Sequence, residues 1–306
     1  MKKKLITLIA GLSLVSASSF AGELTSLTSE AVLNDFDGGL EQVEWTLGKG
    51  SYKIDDTYKF TFDVDKDYIT DNSGAINPDN LGAKYQGWDT RFGIVQTLGK
   101  KYGWDTSLSY YLEFDDLWDT KTGEKSIDNR VKYIVSPYFS KDIKIGGKVF
   151  STGIELWAQV GGKKTESLKN KSEGQLNFYL TGNVIKSDLE LGVYNYNKYN
   201  GTSDSYDYVA ESDLKLTTPL MKKGNITINV ENYIDVYSNV DTEYSYVDAY
   251  LKPIIKYTKK ADENTTWYGS LGYEAFNYYY EKSKGKAATR TWDDNEMEIT
   301  LGFIVK

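Results

Sequence analysis

The feature that most constrains this chain is an alternation of apolar and polar residues over spans of about ten residues, repeated from residue 57 onward. In the clearest span, the even positions from Trp104 to Phe114 are mostly apolar, and the odd positions from Asp105 to Asp115 are mostly polar. Strands of soluble proteins are typically about five or six residues long. No helical period of about 3.6 residues competes in these spans. The pattern therefore predicts long strands with one apolar face.

Connections of alternating length join these spans. The predicted strands are residues 57–65, 88–98, 104–115, 127–140, 148–161, 174–184, 189–197, 206–217, 225–237, 244–258, 266–279 and 294–305. The long polar connections are 66–87, 116–126, 162–173, 198–205, 238–243 and 280–293, and the tighter ones are 99–103, 141–147, 185–188, 218–224 and 259–265. Long external loops that alternate with short periplasmic turns are typical of outer-membrane barrels. The sequence therefore predicts an all-β fold, a closed antiparallel transmembrane β-barrel with both termini in the periplasm.

The strand count depends on residues 22–56, where the pattern is weaker. Val43, Trp45 and Leu47 alternate there, so this N-terminal segment either lies in the periplasm or supplies extra strands. With the barrel assigned to residues 57–306, we expect about twelve strands. Fourteen strands are the alternative if residues 22–56 supply two.

The first residues predict export from the cytoplasm. Three lysines at positions 2–4 precede a short apolar run from Leu5 to Val15, and Ser19-Phe20-Ala21 is a small-x-small pattern that signal peptidase accepts. The apolar run is too short to span the roughly 30 Å of bilayer hydrocarbon. We therefore expect residues 1–21 to be a cleaved signal peptide and the mature chain to reside in the outer membrane of a Gram-negative bacterium.

The composition excludes several classes of function. The chain has no cysteine and no histidine, so neither a thiolate nor an imidazole is available as metal ligand or general base. The net charge of −8, which becomes about −11 once the three lysines of the signal peptide are removed, argues against nucleic acid as a partner. We therefore expect no enzymatic activity, no cofactor and no bound metal. A carboxylate pair of the glycosidase kind stays conceivable, but no spacing singles one out.

The face opposite the apolar one is strongly charged. So many charges are too costly for a dry core, and they indicate a water-filled interior. The predicted pore-lining residues are Arg91, Asp105, Glu113, Arg130, Lys132, Glu155, Glu190, Glu231, Asp235, Asp248, Lys252, Lys256, Glu274 and Glu298. Acids outnumber bases nine to five in this set, which favours a weak preference for cations.

These observations predict an outer-membrane porin, a passive diffusion channel for small hydrophilic solutes and ions that is surrounded by outer-membrane lipid. Two alternatives stay open: an adhesin or structural barrel that binds a partner through its external loops, and a channel specific for acidic oligosaccharides. Assembly into a homo-oligomer is also left open. A sugar-stacking track is an alternative role for five inward tyrosines, Tyr111, Tyr194, Tyr233, Tyr250 and Tyr268.

Several strands resemble the major outer-membrane porins of fusobacteria. The resemblance is carried by Phe92-Gly93-Ile94-Val95-Gln96-Thr97-Leu98, by residues 214–237 around Thr218-Pro219-Leu220, by Tyr250-Leu251-Lys252-Pro253 and by the hairpin through Tyr273. It implies a general diffusion pore, sometimes also an adhesin, with no catalytic residues. Members of that family are thought to have fourteen strands, and this chain is shorter and ends in Lys306 rather than in an aromatic residue. The chain also resembles, more weakly, the twelve-stranded oligosaccharide-specific porins, whose pores are lined with arginine.

Overall fold

Each barrel strand pairs antiparallel with the strand that follows it in the sequence. The computed structural model describes residues 23–36, 40–71, 83–119, 125–163, 172–200, 205–291 and 296–306. The strands in these residues are β1 (Glu23–Phe36), β2 (Leu40–Lys53), β3 (Tyr58–Asp71), β4 (Ala83–Lys101), β5 (Trp104–Asp119), β6 (Lys125–Ile145), β7 (Lys148–Lys163), β8 (Ser172–Val184), β9 (Ser187–Asn200), β10 (Ser205–Lys223), β11 (Ile226–Asn239), β12 (Tyr244–Lys260), β13 (Thr265–Tyr273), β14 (Ala275–Lys282), β15 (Thr289–Thr291) and β16 (Glu296–Val305). No helix among the described residues has the length and apolar content needed to cross a membrane.

The ring of strands closes between β1 and β16. β16 pairs with β13 on one side and with β1 on the other, where Leu27 lies opposite Val305. β13 and β14 both pair with β12 and form two halves of one barrel strand, interrupted at Glu274. Within the described residues the barrel therefore has fourteen strands, and β15 lies outside it, paired with β14. The predicted closed antiparallel barrel is confirmed.

The preferred count of twelve strands is too low, and the alternative of fourteen matches the structure. The two additional strands are β1 and β2, which the sequence pattern obscures for a physical reason. Register shifts interrupt β1 between Leu24 and Ser26 and β2 between Thr46 and Gly48, and a bulge of this kind moves every later side chain to the other face. The alternation on either side of each bulge therefore falls out of phase.

The two-residue turns after β4, β6, β8 and β10 lie at one end of the barrel, together with both ends of the described chain; the connection at residues 240–243, predicted as one of the long ones, is a four-residue turn at the other end. Two of them, Tyr102-Gly103 and Gly146-Gly147, have positive φ at both residues, the geometry of the two-residue turns that match the twist of antiparallel strands. A longer turn at residues 261–264 is held by Asp262, whose Oδ1 accepts the backbone N–H groups of Asn264 and Thr265 at 2.9 and 2.7 Å. These donors hold the pKa of the Asp262 carboxyl below its usual range.

Gly302 permits a side-chain contact across the closing strand. It lies in register between Glu30 on β1 and Tyr268 on β13, and the Tyr268 hydroxyl donates to Glu30 Oε2 at 2.5 Å over it. A Cβ atom at position 302 would meet Glu30 Cβ at 2.7 Å, the Tyr268 hydroxyl at 2.7 Å and the Ser29 carbonyl at 2.8 Å. The absence of a side chain at position 302 therefore allows the closing strands to pack as they do.

We expect Gly302→Ala to lower the free energy of unfolding by about 1–3 kcal/mol, because the new methyl group overpacks against backbone as well as side chain. Denaturant titration of the folded barrel measures this change. Gly174→Ala is the matched control, since its nearest neighbour, the Trp157 carbonyl, lies 3.9 Å from the added Cβ. Equal effects of the two substitutions would contradict the packing argument.

Candidate functional site

The charged residues lie on the concave face of the barrel. Side chains from strands that are not neighbours meet on this face. The rings of Tyr111 on β5 and Trp157 on β7 are 6.2 Å apart with β6 between them, and Lys252 on β12 reaches Glu298 on β16 at 2.7 Å with β13 between them. Contacts that pass over an intervening strand require the inner side of a curved sheet.

The other face of each strand is the convex one. It carries large apolar side chains that are exposed in the isolated chain, among them Phe92, Ile94, Phe114, Ile234, Leu271 and Leu301. The two faces of the barrel wall therefore differ sharply in chemistry, with charge inside and apolar surface outside.

Of the fourteen predicted pore-lining residues, thirteen lie at positions of their strands that face the lumen, as the cross-strand register shows. The fourteenth, Glu274, lies between β13 and β14 and is turned toward Lys252. The Arg130 side chain lies outside the described residues, although its backbone pairs with Asp115. Three sets are brought together: Arg91 with Glu113 and Lys132, Lys252 with Glu274 and Glu298, and Asp235 with Asp248. Glu231 lies opposite Lys252 in the β11–β12 register. The side-chain contacts of the remaining four lie outside these sets: Asp105, Glu155, Glu190 and Lys256.

A cluster of paired charges forms on one wall around Glu113. The Glu113 side chain is buried, with Arg91 Nε at 2.6 Å from one carboxylate oxygen and Lys132 Nζ at 2.5 Å from the other. Lys132 also lies 2.7 Å from Asp115. The Arg91 guanidinium on β4 also lies 5.7 Å from the centre of the Trp157 ring on β7, three strands away. We call Arg91, Glu113, Asp115 and Lys132 the Glu113 cluster; its two cations come from β4 and β6, and its two carboxylates come from β5.

A second ion cluster supports the point where the barrel strand is interrupted. Lys252 on β12 is 5% exposed and lies 2.7 Å from Glu298 and 3.7 Å from Glu274. Glu274 is the residue between β13 and β14, and its backbone N–H donates to the Glu296 carbonyl at 2.8 Å. Ion pairs of Lys252 therefore connect β12 with Glu274 and with β16 at the point where strand pairing is interrupted between β13 and β14.

Tyrosine hydroxyls orient several of the inner carboxylates. Tyr179 donates to Glu155 at 2.7 Å, Tyr196 to Glu211 at 2.9 Å, Tyr246 to Asp235 at 2.9 Å and Tyr250 to Glu231 at 3.1 Å. A phenol that donates to a carboxylate holds it in place and leaves its negative charge intact. The wall from β7 to β12 therefore presents fixed negative charge that tyrosines position.

Two rows of aspartates face each other across the barrel. Asp65, Asp89 and Asp115 lie in register on β3, β4 and β5, and Asp213, Asp235 and Asp248 lie in register on β10, β11 and β12. The central strands β4 and β11 are seven strands apart in either direction around the ring of fourteen. The first row lies beside Lys49, Arg91 and Lys132. The two cations of the Glu113 cluster are balanced by its own carboxylates, and they stand opposite a wall that carries excess negative charge.

The sequence analysis missed several inner-face residues. Lys49, which lies 2.7 Å from Asp63, and Glu30 belong to the bulged strands β1 and β2. Asp89 shares the face of Arg91 two residues away, so the alternation within β4 could have identified it. Toward the short-turn end, the wall contains an open cavity of about 420 Å³ lined in part by Lys59, Asp105 and Tyr138.

Among known proteins, the chain is similar to solved structures of outer-membrane proteins. The chain is similar to the anion-selective porin from Comamonas acidovorans, with 9% identity, a TM-score of 0.42, and coverage of 93% of this chain and 99% of that chain. It is similar to OccK1 (OpdK) of Pseudomonas aeruginosa, with 7% identity, a TM-score of 0.40, and coverage of 92% and 97%. It is also similar to OmpT, an outer membrane protein of Vibrio cholerae, with 10% identity and a TM-score of 0.40. That match covers 94% of this chain and 98% of the OmpT chain.

No protein-family model and no curated protein matches the chain. At these identities and TM-scores the structural likeness supports no conclusion about function. The proposals below therefore depend on the strand pairing and side chains of this chain.

We expect Glu113→Gln to lower the free energy of unfolding by about 2–3 kcal/mol, since it leaves two lumen cations without their shared carboxylate. Glu190→Gln is the matched control, because the Glu190–Lys215 pair is far more exposed and such pairs contribute about 1 kcal/mol or less. Denaturant titration of both variants measures the difference. A loss for Glu113→Gln no larger than that for Glu190→Gln would contradict the central role of Glu113.

Proposed function

We propose that this chain is an outer-membrane porin, through which small hydrophilic solutes and ions diffuse passively with a weak preference for cations. The observation that carries the proposal is a closed fourteen-strand barrel with its charged side chains on the concave face and exposed apolar side chains on the convex face. The pairing of β1 with β16 closes the sheet, which is the condition for strands to lie in lipid.

The convex face supports a lipid environment. On β11, Ile226, Val230 and Ile234 lie on the convex face, because their neighbours Glu231 and Asp235 pair with inward-facing residues of β12. Ile226 and Ile234 are 43% and 42% exposed in the isolated chain. Apolar surface exposed on this scale around a barrel is costly in water and favourable against acyl chains.

The concave face supports a water-filled path. Inner-face residues such as Glu190 and Lys215 keep much of their side-chain surface accessible, and fourteen strands enclose a wider interior than eight, whose side chains fill the lumen. The tyrosine-positioned carboxylates add negative charge along one wall, and such charge stabilises cations in a narrow aqueous path. Inward lysines such as Lys215 and Lys252 partly offset this negative charge, so we expect the preference for cations to be modest.

The structure argues against one of the alternatives that the sequence leaves open and does not test the others. A channel specific for acidic oligosaccharides is disfavoured by the net acidic inner wall. An adhesin role, a homo-oligomer and the absence of enzymatic activity stay predictions, as do the fusobacterial resemblance and cleavage before Gly22. Residues 1–21 lie outside the described part of the chain.

We expect Val230→Arg to destabilise the barrel in lipid vesicles by about 2–4 kcal/mol, because a charge on the convex face near the centre of the apolar band is exposed to hydrocarbon. Ile226→Arg is the control on the same face of the same strand. It lies beside the short turn at residues 224–225 and should cost about 1 kcal/mol or less. Unfolding titrations in vesicles measure both. Similar costs in vesicles for the two positions would argue against a membrane-spanning orientation.

We expect the purified protein in planar bilayers to form open channels whose reversal potential in a KCl gradient has the sign of a cation preference. The preference should shrink in concentrated salt, since the Debye length falls from about 10 Å at 0.1 M to about 3 Å at 1 M. Neutralising Glu155 and Glu231 together should move the reversal potential toward zero. Neutralising the exposed turn residues Asp56 and Glu263 is the control and should move it less. An anion preference in the wild type would reject the selectivity assignment, and an absence of conductance would reject the pore.

A further inference from the structure

A shallow groove crosses the convex face of the barrel over Gly269 on β13. It has a volume of about 370 Å³ and lies on three adjacent strands, β12, β13 and β16. Tyr257 pairs in register with Gly269, and Gly269 with Leu301, so these positions share one face of the sheet. The side chains that border the groove are apolar or aromatic and exposed in the isolated chain: Ile255, Tyr257, Trp267, Leu271 and Leu301. The groove is therefore a recess in the apolar outer surface.

The recess exists because Gly269 has no side chain. Among the described residues, only Leu301 Cδ2 at 2.9 Å and the Thr300 carbonyl at 3.5 Å lie within 4 Å of a Cβ atom added at Gly269. Gly182, another glycine of the convex face, is instead covered by the ring of Phe150 from the neighbouring strand β7. The recess at Gly269 is therefore open to whatever surrounds the barrel.

A lysine stands at one end of the groove. Lys259 pairs in register with Trp267, which places it on the convex face, two residues before the turn at residues 261–264. Lys259 is exposed and forms no ion pair among the described residues. Along β12 the backbone from Lys259 to Ile255 covers about 14 Å. The groove is therefore an apolar path of about that length with a positive charge at its end nearest the short turns.

The short-turn end of the barrel as a whole is basic. The segments that surround the two-residue turns, residues 100–105, 144–149, 183–188 and 222–227, contain seven lysines and two aspartates. This excess of positive charge occurs in a chain whose net charge is −8. Basic residues beside an apolar membrane surface attract anionic lipid headgroups. The charge at this end is therefore complementary to an anionic membrane surface.

The size of the groove favours one lipid molecule over a second copy of the chain. Its footprint, about 14 Å along the strands and about 10 Å across them, is roughly 140 Å². A stable protein interface buries about 800 Å² on each partner. An acyl chain needs only a narrow apolar path, and a lysine at the end of that path can pair with a phosphate group.

We propose that the groove binds one anionic phospholipid of the periplasmic leaflet, with an acyl chain over Gly269 and the phosphate group at Lys259. The proposal rests on the outer-membrane function proposed above, because that function places the convex face in lipid and the short turns at the periplasmic side. It extends the function by naming a lipid class and one site for it, on the side of the wall away from the lumen.

Native mass spectrometry of the whole barrel, released from detergent in about 0.1 M ammonium acetate, tests the charge at the site. The probes are dioleoylphosphatidylglycerol, which is anionic, and dioleoylphosphatidylcholine, which is zwitterionic. We expect the first phosphatidylglycerol to bind at about fivefold lower concentration than the first phosphatidylcholine, the contribution expected of one lysine near an anionic headgroup. Lys259→Gln should remove this difference.

Lys223→Gln is the matched control for charge. Lys223 is exposed and lies opposite Ile226 on the same face and at the same end of the barrel, three strands away from Gly269. Three strand spacings are about 14 Å, more than the Debye length of about 10 Å at 0.1 M salt, so this variant should change the lipid preference by less than about twofold.

Gly269→Val tests the groove itself. The new side chain fills the recess and should weaken the binding of both lipids by about threefold or more, because acyl-chain contacts are lost. It meets mainly the flexible end of Leu301, so the barrel should still fold. Gly174→Val is the control, since Gly174 lies on the convex face of β8 with open space around it, and it should leave the binding of both lipids unchanged.

These measurements separate the site from the pore. They need no conductance, so a barrel that binds phosphatidylglycerol as described but passes no current would support the site and reject the pore. Equal binding of the two lipids by the wild type, equal effects of the two lysine variants, or unchanged binding in Gly269→Val would each overturn the inference, even in a conducting channel. A wild-type dimer that retains no lipid and is lost in Gly269→Val would also overturn it, because the groove would then hold a second copy of the chain.

Discussion

The structure depends on one backbone interaction, the pairing of β1 with β16. Without it the sheet has two edges, and each edge presents a row of unpaired N–H and C=O groups. With it, every strand of the ring has a partner on both sides, and the chain divides space into a lumen and an exterior. The alternation of side chains then assigns charge to the lumen and apolar surface to the exterior. Gly302 is part of this closure, since a larger residue there would separate Glu30 from Tyr268.

Closure also determines which residues face each other across the lumen. Cross-strand register fixes the rows along the wall, so Asp213, Asp235 and Asp248 become neighbours although they lie on three different strands. The number of strands determines what stands opposite. In a ring of fourteen, the sector around β4 faces the sector around β11. Arg91 and Lys132 therefore lie opposite Asp213, Asp235 and Asp248 because of the whole ring and not because of any local motif.

Much of this could be predicted from the sequence, and the limits have physical causes. Long alternating spans identify β3 to β12, the strand formed by β13 and β14, and β16, because a two-residue period survives wherever one face meets apolar surroundings and the other polar ones. The pattern is weak in β2 because a bulge between Thr46 and Gly48 shifts its phase, and in β1 because Val32 lies on the same face as Glu30. The inward orientation of Glu113 follows from alternation alone. Its contact with both Arg91 and Lys132 does not, since it requires the register of β4, β5 and β6.

The interruption at Glu274 has a consequence for how evenly the ring resists opening. Around most of the circumference each strand is held to both neighbours by a continuous ladder of backbone hydrogen bonds. β14, by contrast, pairs with β12 on one side and only with the three residues of β15 on the other. Cooperative unfolding tends to begin where the backbone is least paired. The barrel is therefore locally less stable at β14, and amide hydrogens of β14 should exchange with solvent sooner than those of β5 or β11.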